Sequence, residues 1–337
     1  MVGPERPTLI ERFIGVFHLP YLVGCLPWAF LMSLFSSVAG NVEPLGPAKA
    51  FEGWVTSFVQ VSNNSIIIVL LMFYLLYAPH YVRMRIVQAK ESIAPLLLNR
   101  EEEFHRLFGR ISALRPHAVV WLVISLLFLT GLNPGFPSTL GLSFPLPNIL
   151  FIVLALLISS VIWTYYASLR GIDQMGTAQL QLRPYFKDRM LGLRPVGRLS
   201  LSIATAYFLL IGFLLISILV SPAPLVIYAL ILGLTLLGVL MFFLPLRRLH
   251  GRMLEQKKLE RAGLEDRLGQ LYQNPVETRS STDISELFML DMRERRISSI
   301  ATWPFDTGII IRLSAIIISV VAILLSKVIA GAIGIGG

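Results

Sequence analysis

The run Trp303-Pro304-Phe305-Asp306, followed by the apolar stretch from Thr307 to Ser326, decides the fold class of this chain. A helix of that length covers about 30 Å, the thickness of a bilayer's hydrocarbon core. Its start is marked. Trp303 belongs at a membrane interface, Pro304 suits a first helical turn whose amides are unpaired anyway, and Asp306 favours a helix N-terminus. Around the helix, Gly308, Arg312, Ala315, Ser319, Ala322, Ser326 and Ala330 recur at steps of four or three, so they share one face. Ile310, Ile317, Val321, Leu324 and Val328 stand opposite.

The small-residue face has two readings. Small side chains spaced by four promote dry, close helix packing, and serines such as Ser319 and Ser326 often bond back to their own turn. The same face could instead line a path for water and ions, with Gly308, Arg312, Ala315, Ser319, Ala322 and Ser326 as pore-lining candidates. Arg312 lies six residues after Asp306, roughly 9 Å along the axis and so near one membrane boundary. It either snorkels to the headgroups or joins a ring of arginines at the mouth of an oligomeric pore.

Composition extends the membrane reading to the whole chain. Of 337 residues 55% are hydrophobic and 15% charged, and the mean hydropathy is +0.71. Soluble globular domains do not look like this. Barrel strands would alternate polar and apolar residues, and no such pattern occurs. The single cysteine, Cys25, excludes an internal disulfide framework. The net charge of +9 comes from basic residues set between apolar runs, so it speaks for membrane topology rather than nucleic acid.

A first span is expected from about Val16 to Val38. Leu22-Val23-Gly24-Cys25 resembles a lipobox, but the apolar run continues past Cys25 through Trp28, Phe30 and Phe35, which favours a transmembrane helix. Residues 40–53, with Pro44, Gly46 and Pro47, read as a loop. A second span from about Trp54 to Tyr77 holds Gln60, Ser62, Asn63, Asn64 and Ser65, so its first half either projects beyond the membrane or faces a cavity or neighbouring helices. Five further spans are expected at about 118–132, 148–167, 199–220, 225–244 and 304–326. Between them lie helical segments outside the membrane at about 81–116, 169–198 and 247–301, the last as two amphipathic helices broken near Asn274-Pro275.

Lysine and arginine are distributed one-sidedly. The segments before span one and between spans two and three, four and five, and six and seven hold 26 of the 29. By the positive-inside rule the expected protein is an all-α, polytopic membrane protein. It forms a single seven-helix domain over residues 1–337, with a cytoplasmic N-terminus and an external C-terminus. Its place is the cell membrane.

Residues that carry catalysis are not in evidence. His18, His80, His105, His117 and His250 are scattered without HExxH spacing or a cysteine partner, so neither a metal site nor a catalytic group is expected. There is no phosphate loop and no GxSxG elbow, and no cofactor is implied. Glu101, Glu102 and Glu103 read as a solvated helix face. No Asp or Glu falls well inside a span, which weighs against a proton pump.

Rhodopsins and G-protein-coupled receptors have the opposite orientation, and Lys327 lies too far along the last helix for a retinal lysine. The arrangement resembles instead the seven-transmembrane ion channel superfamily, which contains the insect odorant and gustatory receptors. The likeness lies in the seven spans, the charge-derived orientation, and a last helix divided into about Thr282 to Ser299 and Pro304 to Ser326 at Trp303-Pro304. The resemblance implies a homo-tetramer whose seventh spans line a central pore. The gustatory Thr-Tyr-x5-Gln-Phe signature is absent from the last span. Partners are thus the bilayer and further copies of the chain, with a small-molecule ligand as a candidate stimulus and no nucleic acid. Two other functions fit the same residues. One is a non-conducting sensor or scaffold that presents 247–301 to a partner, and the other is a small-molecule carrier.

Overall fold

The computed structural model describes residues 4–15, 18–45, 47–59, 63–131, 146–220, 225–272 and 281–333. These residues are all-helical. Six helical stretches are long and apolar enough to cross a membrane: Ile66–Leu96, Arg100–Thr130, Asn148–Met175, Arg194–Ile216, Val226–Gly269 and Thr307–Lys327. The apolar stretch Tyr21–Ser36 is shorter. The elements are α1 (Leu9–Gly15), α2 (Tyr21–Leu45), α3 (Pro47–Val59), α4 (Asn63–Ile93), α5 (Arg100–Phe108), α6 (Leu114–Gly131), α7 (Leu146–Met175), α8 (Arg194–Val220), α9 (Leu225–Tyr272), α10 (Ser281–Ser298) and α11 (Thr307–Ile333).

Several expected boundaries move. The first long helix starts at Tyr21 rather than Val16, because His18 takes a positive φ of 53° and Pro20 lacks the N–H that a preceding turn would use. Ahead of it, α1 packs so closely on α2 that a β-carbon at Gly24 would stand 2.8 Å from the Ile14 side chain. Cys25 is buried within α2. The loop expected at 40–53 is two helices instead. Pro47 opens α3 at a first-turn position, where a missing N–H costs nothing. Trp54 therefore belongs to α3, and the helix expected from Trp54 begins instead with α4. The polar side chains of Gln60, Ser62, Asn63, Asn64 and Ser65 lie outside the described residues.

The connection expected as helix over 169–198 is helical only at its two ends. α7 ends at Met175 and α8 begins at Arg194. Between them Leu191 and Gly192 take positive φ, and the Asp188 carboxylate accepts the N–H groups of Met190 (2.9 Å) and Gly192 (3.1 Å), fixing a turn in place of helix. Conversely, α9 does not stop where the apolar stretch expected at 225–244 ends. It runs unbroken for 48 residues through Pro245, about 72 Å at 1.5 Å per residue. The expected break near Asn274-Pro275 lies outside the described residues. Across 81–116, α4 continues to Ile93 and is followed by a 3-10 turn, α5 and a second 3-10 turn, whose Phe104, Leu107, Phe108 and Ile111 are buried.

The core forms where α4 packs on α2, α7 and α8, and where α7 and α8 in turn pack on α9. α11 closes the bundle against α8 and α9.

Candidate functional site

α11 enters the bundle through a tightly fixed junction. The Lys257 ammonium, from α9, donates to the carbonyls of Ser298 (2.8 Å) and Ile300 (3.1 Å), and His250 Nδ1 donates to that of Thr302 (2.6 Å). The His250 ring stacks on Trp303 at 4.2 Å, and Trp303 in turn stacks on Phe305 at 5.3 Å. Phe243 meets both aromatic rings edge-on. Protein packing thus fixes Trp303, the expected interface residue, and leaves it half-buried. Pro304 was expected in the first helical turn, but it precedes the helix. Asp306 is the N-cap: its Oδ1 accepts the N–H of Ile309 at 3.0 Å, so the helix proper starts at Thr307. The carboxylate also receives Arg194, from the first residue of α8, at 2.9 Å. This hydrogen bond, together with the Ile309 N–H, holds the Asp306 carboxyl below its usual value.

Beyond the cap, α11 shows three faces. Ile309, Leu313, Val320 and Leu324 are buried in the bundle. On the far side Ile311, Ile318, Leu325 and Ile329 are exposed apolar residues suited to lipid. Gly308, Arg312, Ala315, Ser319, Ala322 and Ser326 all lie together on a third, exposed face. The greasy face expected from sequence is therefore split. Leu324 is buried, Ile317 and Val321 are half-buried and Ile310 is exposed, while the side chains of Val328 and Ala330 lie outside the described residues. Ser319 donates to Ala315 O and Ser326 to Ile323 O, each at 2.8 Å. Both hydroxyls are satisfied within their own helix.

A second polar centre escaped the sequence reading. Glu11 is 5% exposed and Arg83 9%. The Glu11 carboxylate receives the Thr8 N–H at 2.6 Å, His80 Nδ1 at 2.5 Å and Arg83 Nε at 2.8 Å. Thr8 Oγ1 accepts the Glu11 N–H at 3.4 Å, so the two residues form a capping box at the start of α1. Arg83 also donates to Glu5 O at 3.2 Å, and Lys90 pairs with the Glu5 carboxylate at 2.8 Å. Burial pushes the Glu11 carboxyl up, but the bonds from His80, Thr8 and Arg83 outweigh it and hold the group below its usual value. The signal was present in the spacing Thr8-x-x-Glu11. Its meaning depended on α4 supplying His80 and Arg83 from about seventy residues away.

Among the described residues no three His, Cys, Asp or Glu side chains gather into a cluster that could hold a metal. A cavity of about 410 Å³ lies between α4, α8 and α11, walled by Tyr74, Tyr77, Tyr81, Leu209 and Ile316. Tyr74 behind it donates to the Ala206 carbonyl and stands 3.2 Å from the Tyr165 hydroxyl. Compared with protein families, with curated proteins and with solved structures, the chain matches none.

Proposed function

We propose that the protein is a seven-crossing cell-membrane protein with a cytoplasmic N-terminus and external C-terminus, assembled from several copies, in which α11 lines an ion path. The crossings are α2, α4, α6, α7, α8, α9 and α11. Contacts among the basic connections support this count, since they lie together at one end. Ser112 bonds Arg6 O at 2.6 Å, Gln181 N bonds Leu96 O at 2.8 Å, Arg248 pairs with Asp173 at 3.2 Å, and Ala301 N bonds Arg189 O at 3.0 Å. An end carrying most of the basic charge belongs on the cytoplasmic side.

One observation carries the conduction reading. The face bearing Arg312 is exposed in the single chain beside the apolar face suited to lipid, and it carries small and polar side chains where that neighbouring face carries Ile and Leu. In an assembly of the kind the resemblance implies, a tetramer, that face turns to the central axis and Arg312 forms a ring near the cytoplasmic mouth. A small molecule acting on the assembly would serve as its stimulus.

The test replaces Cys25 with Ser and places single cysteines at Ser319, Ala322 and Ser326, at the lipid-side Ile318 and Leu325, and at the buried Val320. Lys327→Cys serves as an external topology control. Labelling of the first set alone by a membrane-impermeant thiol reagent supports a water-lined path. An unlabelled first set beside a labelled control removes it. The scaffold reading then takes precedence, favoured by the exposed Leu259, Phe288 and Met289 on the projecting part of α9 and on α10.

A further inference from the structure

We propose that the crevice between α4 and α8 is a binding site for an anionic phospholipid, headgroup in its basic mouth and one acyl chain in the tyrosine-lined cavity. The two helices run antiparallel along it, and two cavities lie end to end. The apolar one, about 410 Å³, takes Tyr77 and Tyr81 from α4, Leu209 and Gly212 from α8, and Ile316 from α11. The next turn of each helix opens a second cavity of about 260 Å³, lined by Arg85, Gln88 and Ser92 of α4 and by Arg198 and Ser202 of α8. Arg85 joins the two, since its guanidinium lies 5.0 Å over the ring of Tyr81.

The chemistry of the two parts differs sharply over one helical turn. The mouth offers two guanidinium groups, two hydroxyls and an amide, and no carboxylate lines it. Arg85 and Arg198 are both exposed; Arg85 donates to Gln88 Oε1 at 3.4 Å, and Arg198 also attracts the Asp306 carboxylate. Arginine's planar fork suits the paired oxygens of a phosphate. The inner part offers aromatic and aliphatic walls and nothing that would repay a charged guest. A soluble phosphate compound would fill only the mouth, and a neutral hydrocarbon only the interior. An amphiphile with a phosphate at its glycerol end fits both. The mouth also lies where α4 and α8 leave the apolar layer on the basic side of the protein, the level at which anionic headgroups sit.

Thermal unfolding of the purified full-length chain in neutral detergent tests this, titrated in separate arms with dioleoylphosphatidylglycerol, dioleoylphosphatidylcholine and glycerol phosphate. Phosphatidylglycerol is expected to raise the midpoint saturably, phosphatidylcholine and glycerol phosphate much less. In Arg85→Gln/Arg198→Gln the apparent affinity for phosphatidylglycerol should fall about 30-fold, from the loss of two basic contacts to the headgroup. Arg110→Gln/Arg115→Gln removes the same charge from exposed positions elsewhere and should keep the full response. Gly212→Leu meets no atom within 4 Å at its β-carbon, so it tests the tail cavity without a backbone clash and should also weaken the response. An equal loss in both arginine pairs would reduce the effect to general surface charge and overturn the site. A full response to glycerol phosphate, or an unchanged response in Gly212→Leu, would overturn the lipid as occupant. No response to phosphatidylglycerol overturns the proposal outright.

Discussion

Gly197 on α8 faces the carbonyl oxygen of Pro304 so closely that a β-carbon there would overlap the Pro304 backbone. Neither side of this contact can swing away as a flexible side chain could. Gly197→Ala is therefore expected to push the entry of α11 off α8 and lower stability by about 1–3 kcal/mol, the range for overpacking. Gly233→Ala on α9 meets nothing within 4 Å and should be neutral or gain up to about 1 kcal/mol from helix propensity. Thermal unfolding of the two variants side by side checks this, and similar losses in both would show that the Gly197 contact is not tight.

Glu11→Ala leaves Arg83 buried and without the carboxylate that compensates it. A loss of about 3–5 kcal/mol is expected from such a broken buried pair. Glu11→Ala/Arg83→Met should recover part of that loss, because no uncompensated charge remains. The readouts are the unfolding midpoint and the rate of proteolysis within residues 4–15. If the double variant is as unstable as the single, the buried charge is not the cause.

The same carboxylate predicts a direction with pH. Its folded-state pKa lies below its usual value of 4.5, so the stability it contributes is fully present above that value and is lost as pH falls through the folded pKa. Docking of residues 4–15 should hold at neutral pH and loosen only under acid conditions below about pH 4.5, the unfolded-state value. Hydrogen exchange at the amides of α1 measures this. Glu11→Gln should flatten the acid dependence, and an unchanged profile in that variant would assign the loosening to other groups.

Leu313 is 3% exposed, whereas Ser319 is exposed. Leu313→Ala should destabilise the single chain by about 2–5 kcal/mol through lost packing. Ser319→Leu should leave the folded chain intact, since its hydroxyl serves only Ala315 O. Any effect of Ser319→Leu should appear instead in subunit association, read as a shift to monomer on gel filtration in detergent. Arg312→Glu should leave assembly intact and alter ion selectivity in reconstituted vesicles.

The sequence was most informative where a single helix determines the answer. Hydropathy marked the apolar runs, and the periodicity of Gly308, Arg312, Ala315 and Ser319 put them on one face that the structure leaves exposed. It was less informative where a residue's role is set by a distant partner. Pro47 has the same composition signal in a loop as at the first turn of α3, and Pro245 looks like a terminator until α9 continues through it. Trp303 carries an interface signal, yet His250, Phe243 and Phe305 fix its ring. The Thr8-x-x-Glu11 spacing marks the start of α1, but no local signal reveals that Glu11 meets His80 and Arg83 of α4.

The unbroken course of α9 makes it a brace. One helix contributes both an apolar membrane-length segment and, beyond Pro245, the His250 and Lys257 side chains that grip the carbonyls of Ser298, Ile300 and Thr302. The root of α11 is thus tied to a membrane-length helix by one continuous rod rather than through a loop.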